Sequence, residues 1–197
     1  MIIAKSKPKK ETLSEHTNEL IKRYEQLIEN YGKMIKNSKV WELLRLAAFY
    51  HDTGKAYTHF QYQIKKSLGE EVEKPNLVYI PHNYLSPFFL PLNSLKLDKH
   101  SRRILIQAIT YHHERDLSLE PERLKKIAIE DLIHQFENVK QELNIDIPND
   151  GKFFDKIADD MGKSRMKMKK QDDNYLTYVL VKGLLHRLDH AASAHVD

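Results

Sequence analysis

The chain has no cysteine in its 197 residues. That absence rules out disulfides and every thiolate metal site, so any transition ion held here must be bound by imidazole and carboxylate. It also makes the cytoplasm the expected location. No run of residues approaches the roughly 20 apolar positions a membrane-spanning helix requires, so no membrane is expected among its partners. The opening Met1-Ile2-Ile3-Ala4-Lys5 lacks the apolar stretch of a secretory signal. Glycine is scarce, with six in all, and none falls in a G-x-x-x-x-G-K-[S/T] loop. ATP hydrolysis by that route, and DNA unwinding driven by it, are thereby excluded.

What is present is an ordinary globular composition, 41% hydrophobic and 30% charged. The length suits one domain spanning 1–197. A net charge of +4 and a pI near 9.0 are mildly basic and compatible with a phosphate-rich partner.

Helical periodicity runs nearly end to end. Thr12-Leu13-Ser14-Glu15 reads as a capping box that opens a helix to about Tyr31, with Gly32 as its stop. Val40 to Tyr50 places Trp41, Leu44, Ala47 and Ala48 at helical spacing, with Gly54 beyond as a stop. A short helix is expected over 57–66 and a strong one over 99–112, with Ile104, Leu105, Ala108 and Ile109 inward. Weaker patterns cover 124–143 and 153–161, and a long final helix covers 173–194. Pro87 and Pro91 break the apolar run between. No sustained strand pattern is visible, and the expected fold is all-α, a helical bundle. Two lysine-rich strips, about 3–11 and 162–171, read as mobile solvated surface or as a grip on a nucleic-acid backbone. The first carries Lys5, Lys7, Lys9 and Lys10. The second carries Lys163, Arg165, Lys167, Lys169 and Lys170.

The chemistry is concentrated in His16, His51-Asp52, His82, the doublet His112-His113 and Asp189. Five histidines and two carboxylates in this order could wrap two metal ions. Leu44, Ala47 and Ala48 share a helix face with His51, Ile104 and Ala108 share one with His112, and Val181 and Leu185 share one with Asp189. Three polar residues thus end three apolar stripes, and a buried, unpaired carboxylate costs several kcal/mol unless a cation or donors meet it. Asp52, next to His51, is placed to bridge two ions. His186 and His190 form a rival i, i+4 pair, read as surface or supporting groups. His59, His100, His134 and His195 are read as structural.

These residues resemble the HD-superfamily phosphohydrolases. More narrowly, they resemble the HD nuclease domain of the helicase–nuclease of type I CRISPR systems. The resemblance rests on His51-Asp52-Thr53-Gly54-Lys55 followed by Phe60-Gln61, on His82 with Ser86 four residues on, on His112-His113, and on Leu188-Asp189-His190-Ala191-Ala192-Ser193. It implies a helical HD bundle with a metal site between its helices. One ion would be held by His16, His51, Asp52 and Asp189, and a second by Asp52, His82, His112 and His113. The donor set suits manganese, iron, cobalt, nickel or zinc better than calcium. Two such ions sharing a carboxylate can clamp a phosphate and activate water. Lys55 would offset charge developing on the phosphoryl oxygens, and Ser193 would orient Asp189 or touch a phosphate.

The resemblance further implies endonuclease and exonuclease action on single-stranded DNA in CRISPR antiviral defence. A helicase domain or subunit and a surveillance complex would be the partners. The chain is then either a stand-alone subunit or the front of a longer protein. A phosphohydrolase of nucleotides or cyclic nucleotides would use the same core ligands, although a mononuclear site would leave His82, His112 and His113 without a role. An interaction module with a structural metal would more often use a closed, four-coordinate site.

Overall fold

The computed structural model describes residues 1–113, 118–147, 151–163 and 173–194, and most of these are helical. The capping box forms as the sequence implies. Thr12 Oγ1 accepts from the Glu15 amide at 3.1 Å, and the Glu15 carboxylate accepts from the Thr12 amide at 2.8 Å. The helix it opens, α1 (Leu13–Tyr31), buries Leu13, His16, Thr17, Leu20 and Tyr24 along one stripe. The next, α2 (Ser38–Tyr50), is capped by Asn37, whose side chain accepts from the Lys39 amide. A 3-10 turn, Thr53–Ala56, then leads into α3 (Thr58–Ser67). The short α4 (His82–Leu85) runs into a second 3-10 turn, Ser86–Phe89.

The helix α5 (Lys99–Thr110) is capped by Asp98, which accepts from the amides of His100 and Ser101 and from the Ser101 hydroxyl. Beyond it, α6 (Pro121–Ile127) passes through a π-helical segment, Ala128–Leu132, into α7 (Ile133–Leu143). That segment turns Asp131 toward α3, where its carboxylate accepts from the Thr58 amide at 3.0 Å and caps the helix. Then come α8 (Phe154–Gly162) and α9 (Asp173–Ala194).

Three helices, α2, α5 and α9, pack against one another, and α1 lies across α2 and α9. Their apolar stripes merge into one buried cluster that includes Leu13, Leu44, Ala47, Ala48, Ile104, Ala108, Val181 and Leu185. The start of α1, the ends of α2 and α5 and the last turns of α9 meet at one end of this bundle, where the polar residues lie. No helix among the described residues is long and apolar enough to cross a membrane.

The amino-terminal lysine strip differs from expectation. Its ends are built into the fold: β1 (Ile3–Lys5) pairs antiparallel with β2 (Glu11–Thr12). Ile2, Ile3 and Ala4 are buried. The reason is visible in the residues, since three small or branched apolar side chains at the amino terminus have a core within reach. The lysines that follow them obscured that signal. Of the second strip, only Gly162 and Lys163 lie within the described residues, and Lys163 pairs with Asp159 and Asp160.

The Asp98 cap fixes the start of the helix that ends beside His112. The Ser101 hydroxyl and amide, with Lys39, hold the Asp98 carboxyl well below the usual carboxylate range. Because the folded value is depressed, the stabilisation is complete above the unfolded value of about 3.9 and fades as pH falls below it. Asp98→Ala should cost about 1 kcal/mol at neutral pH. The gap in melting temperature from wild type should narrow below about pH 4, and a gap independent of pH would contradict the assignment.

Candidate metal centre

The seven candidate ligands arrive from five elements. His16 lies in the first turns of α1, and His51-Asp52 cap the end of α2. His82 opens α4, His112-His113 follow α5, and Asp189 sits late in α9. His51 is fully buried, and His16, Asp52, His112 and Asp189 nearly so. The seven residues fall into two groups whose ligand atoms lie within 4.8 Å of one another: His16, His51, Asp52 and Asp189; and Asp52, His82, His112 and His113. Asp52 belongs to both.

Most of the short contacts follow that division, and one, between Asp189 and His113, crosses it. Asp52 Oδ2 lies 3.2 Å from His16 Nε2, 3.5 Å from His51 Nε2 and 2.6 Å from Lys55 Nζ. Its other oxygen, Oδ1, lies 3.0 Å from His82 Nε2. Asp189 Oδ1 is 3.3 Å from His16 Nε2 and 3.7 Å from His51 Nε2, and its Oδ2 is 3.7 Å from His113 Nε2. His113 is the most exposed of the set, with a third of its side chain open to solvent. Lys55 and His82 are slightly open, so the mouth of the site lies on this side.

The imidazoles are aimed by their other nitrogens. His51 Nδ1 donates to Ala48 O at 3.0 Å, and His112 Nδ1 donates to Ile109 O at 2.6 Å. Both acceptors are carbonyls three residues back in the last turn of a helix, where intrahelical donors are lacking. Each bond places the proton on Nδ1 and leaves the Nε2 lone pair facing the site.

The loop after Asp52 is held by contacts that account for the spacing of its motif. Gly54 N donates to Ser86 Oγ at 2.9 Å, and Ser86 Oγ donates to His82 O at 3.0 Å. A Cβ on Gly54 would stand 2.1 Å from His82 O, so only glycine lets the two backbones touch. Thr53 Oγ1 contacts both Tyr50 O and Ser86 O. Gln61 donates to Lys55 O at 2.7 Å and to Ile3 O at 2.9 Å, and accepts from Ile3 N at 3.1 Å. Asn83 donates to Thr110 O at 2.7 Å, tying the His82 turn to the end of α5.

Electrostatics divide the centre in two. Burial pushes the His82, His112 and His113 imidazoles down, helped by neighbouring cations and imidazoles (Lys55 and His51 at His82, the other histidines at His112 and His113), and His113 falls to about 4. These three are neutral at physiological pH, the state in which imidazole binds metal. Burial also disfavours a charged His51, but Asp52 and Asp189 outweigh it and raise its pKa. Burial opposes ionisation of both carboxyls too. His51 and Lys55 nevertheless hold Asp52 well below its usual range, and His16 and His51 do the same for Asp189.

These residues fit a divalent cation. Among the described residues, His51 Nε2, His82 Nε2, His112 Nε2 and both Asp52 oxygens are buried without a well-formed hydrogen bond. The contacts around them are close but misaligned. Such a convergence of orphaned lone pairs is costly unless something positive occupies their focus.

His186 and His190 lie exposed on α9, with ring centroids 4.2 Å apart, and His186 Nδ1 donates to His112 O at 3.1 Å. Ser193 O accepts from Lys5 Nζ. His59 is buried among Tyr57, Tyr62 and Tyr79. His195 lies outside the described residues. One site residue escaped the sequence reading altogether. Glu11, on β2, is buried with Oε2 3.5 Å from His16 Nδ1. Nothing in the sequence marks it apart from its place five residues before His16.

A helical bundle that buries a His-Asp doublet with further histidines and a closing aspartate has the makings of a metal-dependent phosphohydrolase of the HD superfamily. The chain matches the family described as Cas3, HD domain, over residues 10–185, and it belongs to that family. Asp189 and Ser193 lie beyond the matched span. No match was found among curated proteins, and none among solved structures.

Two measurements bear on the centre. Manganese, nickel or cobalt added to chelator-treated protein should raise its melting temperature, by about 2.7 kcal/mol of stability at one hundred times Kd. Asp52→Ala should remove that response, and an equal rise in the variant would place the metal elsewhere. Gly54→Ala should push the His82 turn away at a cost of about 1–3 kcal/mol. It should also weaken metal binding by calorimetry, and unchanged affinity would show that the close approach does not position His82.

Proposed function

We propose that this chain is a metal-dependent nuclease that hydrolyses phosphodiester bonds of single-stranded DNA during CRISPR interference, using two divalent transition metal ions. The observation that supports it most directly is the pair of ligand groups meeting at Asp52. A mononuclear nucleotidase would have no use for His82, His112 and His113, yet these three are gathered around Asp52, with His82 on its second oxygen and His113 on the open side of the site.

In this reading His16, His51, Asp52 and Asp189 hold one ion, and Asp52, His82, His112 and His113 hold the other. Manganese, iron, nickel and cobalt suit the donors. The bound ions would supply Lewis acidity and a water acidic enough to attack phosphorus at neutral pH. The protein's own part is positional. His51 and His112 present fixed lone pairs because their Nδ1 protons are engaged by backbone. Asp52, ionised and rigid, shares its two oxygens between the halves. Lys55 stands at the mouth with its ammonium on Asp52, within reach of an entering phosphodiester, where it offsets charge on the phosphoryl oxygens. Ser193, after Asp189, steadies that end of α9 or meets a phosphate.

No side chain of this centre presents a pattern that reads base edges, and contact through phosphate carries no sequence information. Cleavage should therefore show little base preference. A helicase domain or subunit and the target-bound surveillance complex would deliver the strand, since this chain has no ATP-binding loop of its own.

The test is incubation of chelator-treated protein with circular single-stranded DNA and manganese, nickel, cobalt or magnesium in turn. Loss of circles with at least one transition ion, absent in Asp52→Ala, is the expected result. Circles that survive in every metal with folded, metal-loaded protein would refute the nuclease. Release of phosphate from a nucleotide panel in the same protein would then favour the small-molecule reading.

A further inference from the structure

His16 differs from the other inward histidines in how its ring is held. His51 and His112 sit just past helix ends, where a carbonyl three residues back is free to accept their Nδ1 protons. His16 is the fourth residue of α1. Carbonyls in the first turn of a helix already accept from amides four residues on. No local acceptor is left, so once Nε2, which here faces Asp189 Oδ1 at 3.3 Å, is given to a metal, an Nδ1 proton must find its acceptor off the helix.

The group that faces it is Glu11. Oε2 lies 3.5 Å from His16 Nδ1, and both atoms are buried with no hydrogen bond formed among the described residues, so each is the nearest partner open to the other. Glu11 is 8% exposed and His16 1%, so water does not offer an easy substitute. On the far side of the ring, Nε2 lies 3.2 Å from Asp52 and 3.3 Å from Asp189. Carboxylate, imidazole and metal-ligating oxygens are thus in line. A carboxylate behind a ligating histidine fixes its tautomer, locks the ring's orientation and makes the lone pair more basic.

Glu11 is itself held in place. It lies on β2, which pairs with β1, and β1 is pinned by Gln61 through both the amide and the carbonyl of Ile3. Gln61 also bonds Lys55 O, so the ribbon is referenced to the loop that carries Asp52.

We propose that Glu11 is a positioning residue for the metal centre. It acts through His16, on the ion shared by His16, His51, Asp52 and Asp189 and not on the ion at His82, His112 and His113. This rests on the two-metal reading above.

The test is titration of chelator-treated full chain with manganese alone, followed by calorimetry. Glu11→Leu, similar in size but without an acceptor, should weaken one of two binding steps by about 10–100-fold and leave the other in place. Glu11→Gln, which keeps an acceptor but no charge, should lose less on the same step. In a His16→Ala background, where that step is already impaired, Glu11→Leu should add nothing, the non-additivity expected of residues acting through one another. Wild-type affinity in both variants would overturn the proposal. So would equal weakening of both steps together with a lower melting temperature of the metal-free protein, which would mark Glu11 as a folding residue. If Glu11→Leu fails to fold, Glu11→Gln decides alone. Loss confined to one step supports the proposal, and no loss overturns it. A wild-type chain that takes up only one ion would refute the two-metal reading. Glu11 would then still be judged by whether its variants weaken that ion.

Discussion

Two carboxylates buried side by side govern this structure. Asp52 and Asp189 repel each other, and burial penalises the charge of each. Both are nonetheless held ionised by neighbours that arrive from four separate elements. Most of the helical framework can be understood as bringing those neighbours to one end of the bundle. A partnered charge at this depth is tolerable, whereas removing one partner leaves a bare charge in a low dielectric and is strongly destabilising. The same penalty that makes the centre expensive in the folded chain makes it receptive to a cation. Site and stability are in tension, as expected where a fold is shaped around chemistry.

The spacing of the His-Asp motif has a steric explanation. After Asp52 the chain must turn at once, because the His82 turn lies directly against it. Gly54 allows the backbones to meet, and Ser86 bridges them by accepting from Gly54 and donating to the His82 carbonyl. Gln61 then closes the segment back on Lys55 while holding β1. The pieces that looked like separate matches in the sequence form one network of short contacts.

How far the sequence revealed this depends on how local each signal was. The helices that carry ligands were legible because capping residues and apolar stripes are written within a few turns: Thr12 with Glu15, Leu44 with Ala47 and Ala48, Ile104 with Ala108. The candidate ligands were legible because a polar residue ending an apolar stripe is itself a local anomaly. The amino-terminal ribbon was not. Its three buried residues are too few to show a period, and its pairing depends on Gln61, distant in sequence. Glu11 was hidden for the same reason. A lone glutamate among lysines looks like solvated surface until the fold buries it. The π-helical turn that brings Asp131 to α3 leaves no mark in hydrophobic periodicity either, since it shifts the stripe by a single residue.

The contrast between helix ends and helix beginnings explains why the histidines of the centre are supported differently. A histidine placed after a helix finds a free carbonyl automatically, so His51 and His112 need nothing beyond their own chain segment to be aimed. A histidine placed in the first turns meets amides rather than free carbonyls. His16 therefore depends on an acceptor from outside its helix. The ribbon brings Glu11 to that position and is tied to the Asp52 loop through Gln61. His51 and His112 are thus aimed by the bundle's local geometry. His16 depends on a small tertiary attachment, and its support is the one that can be removed without dismantling the helices that carry the rest.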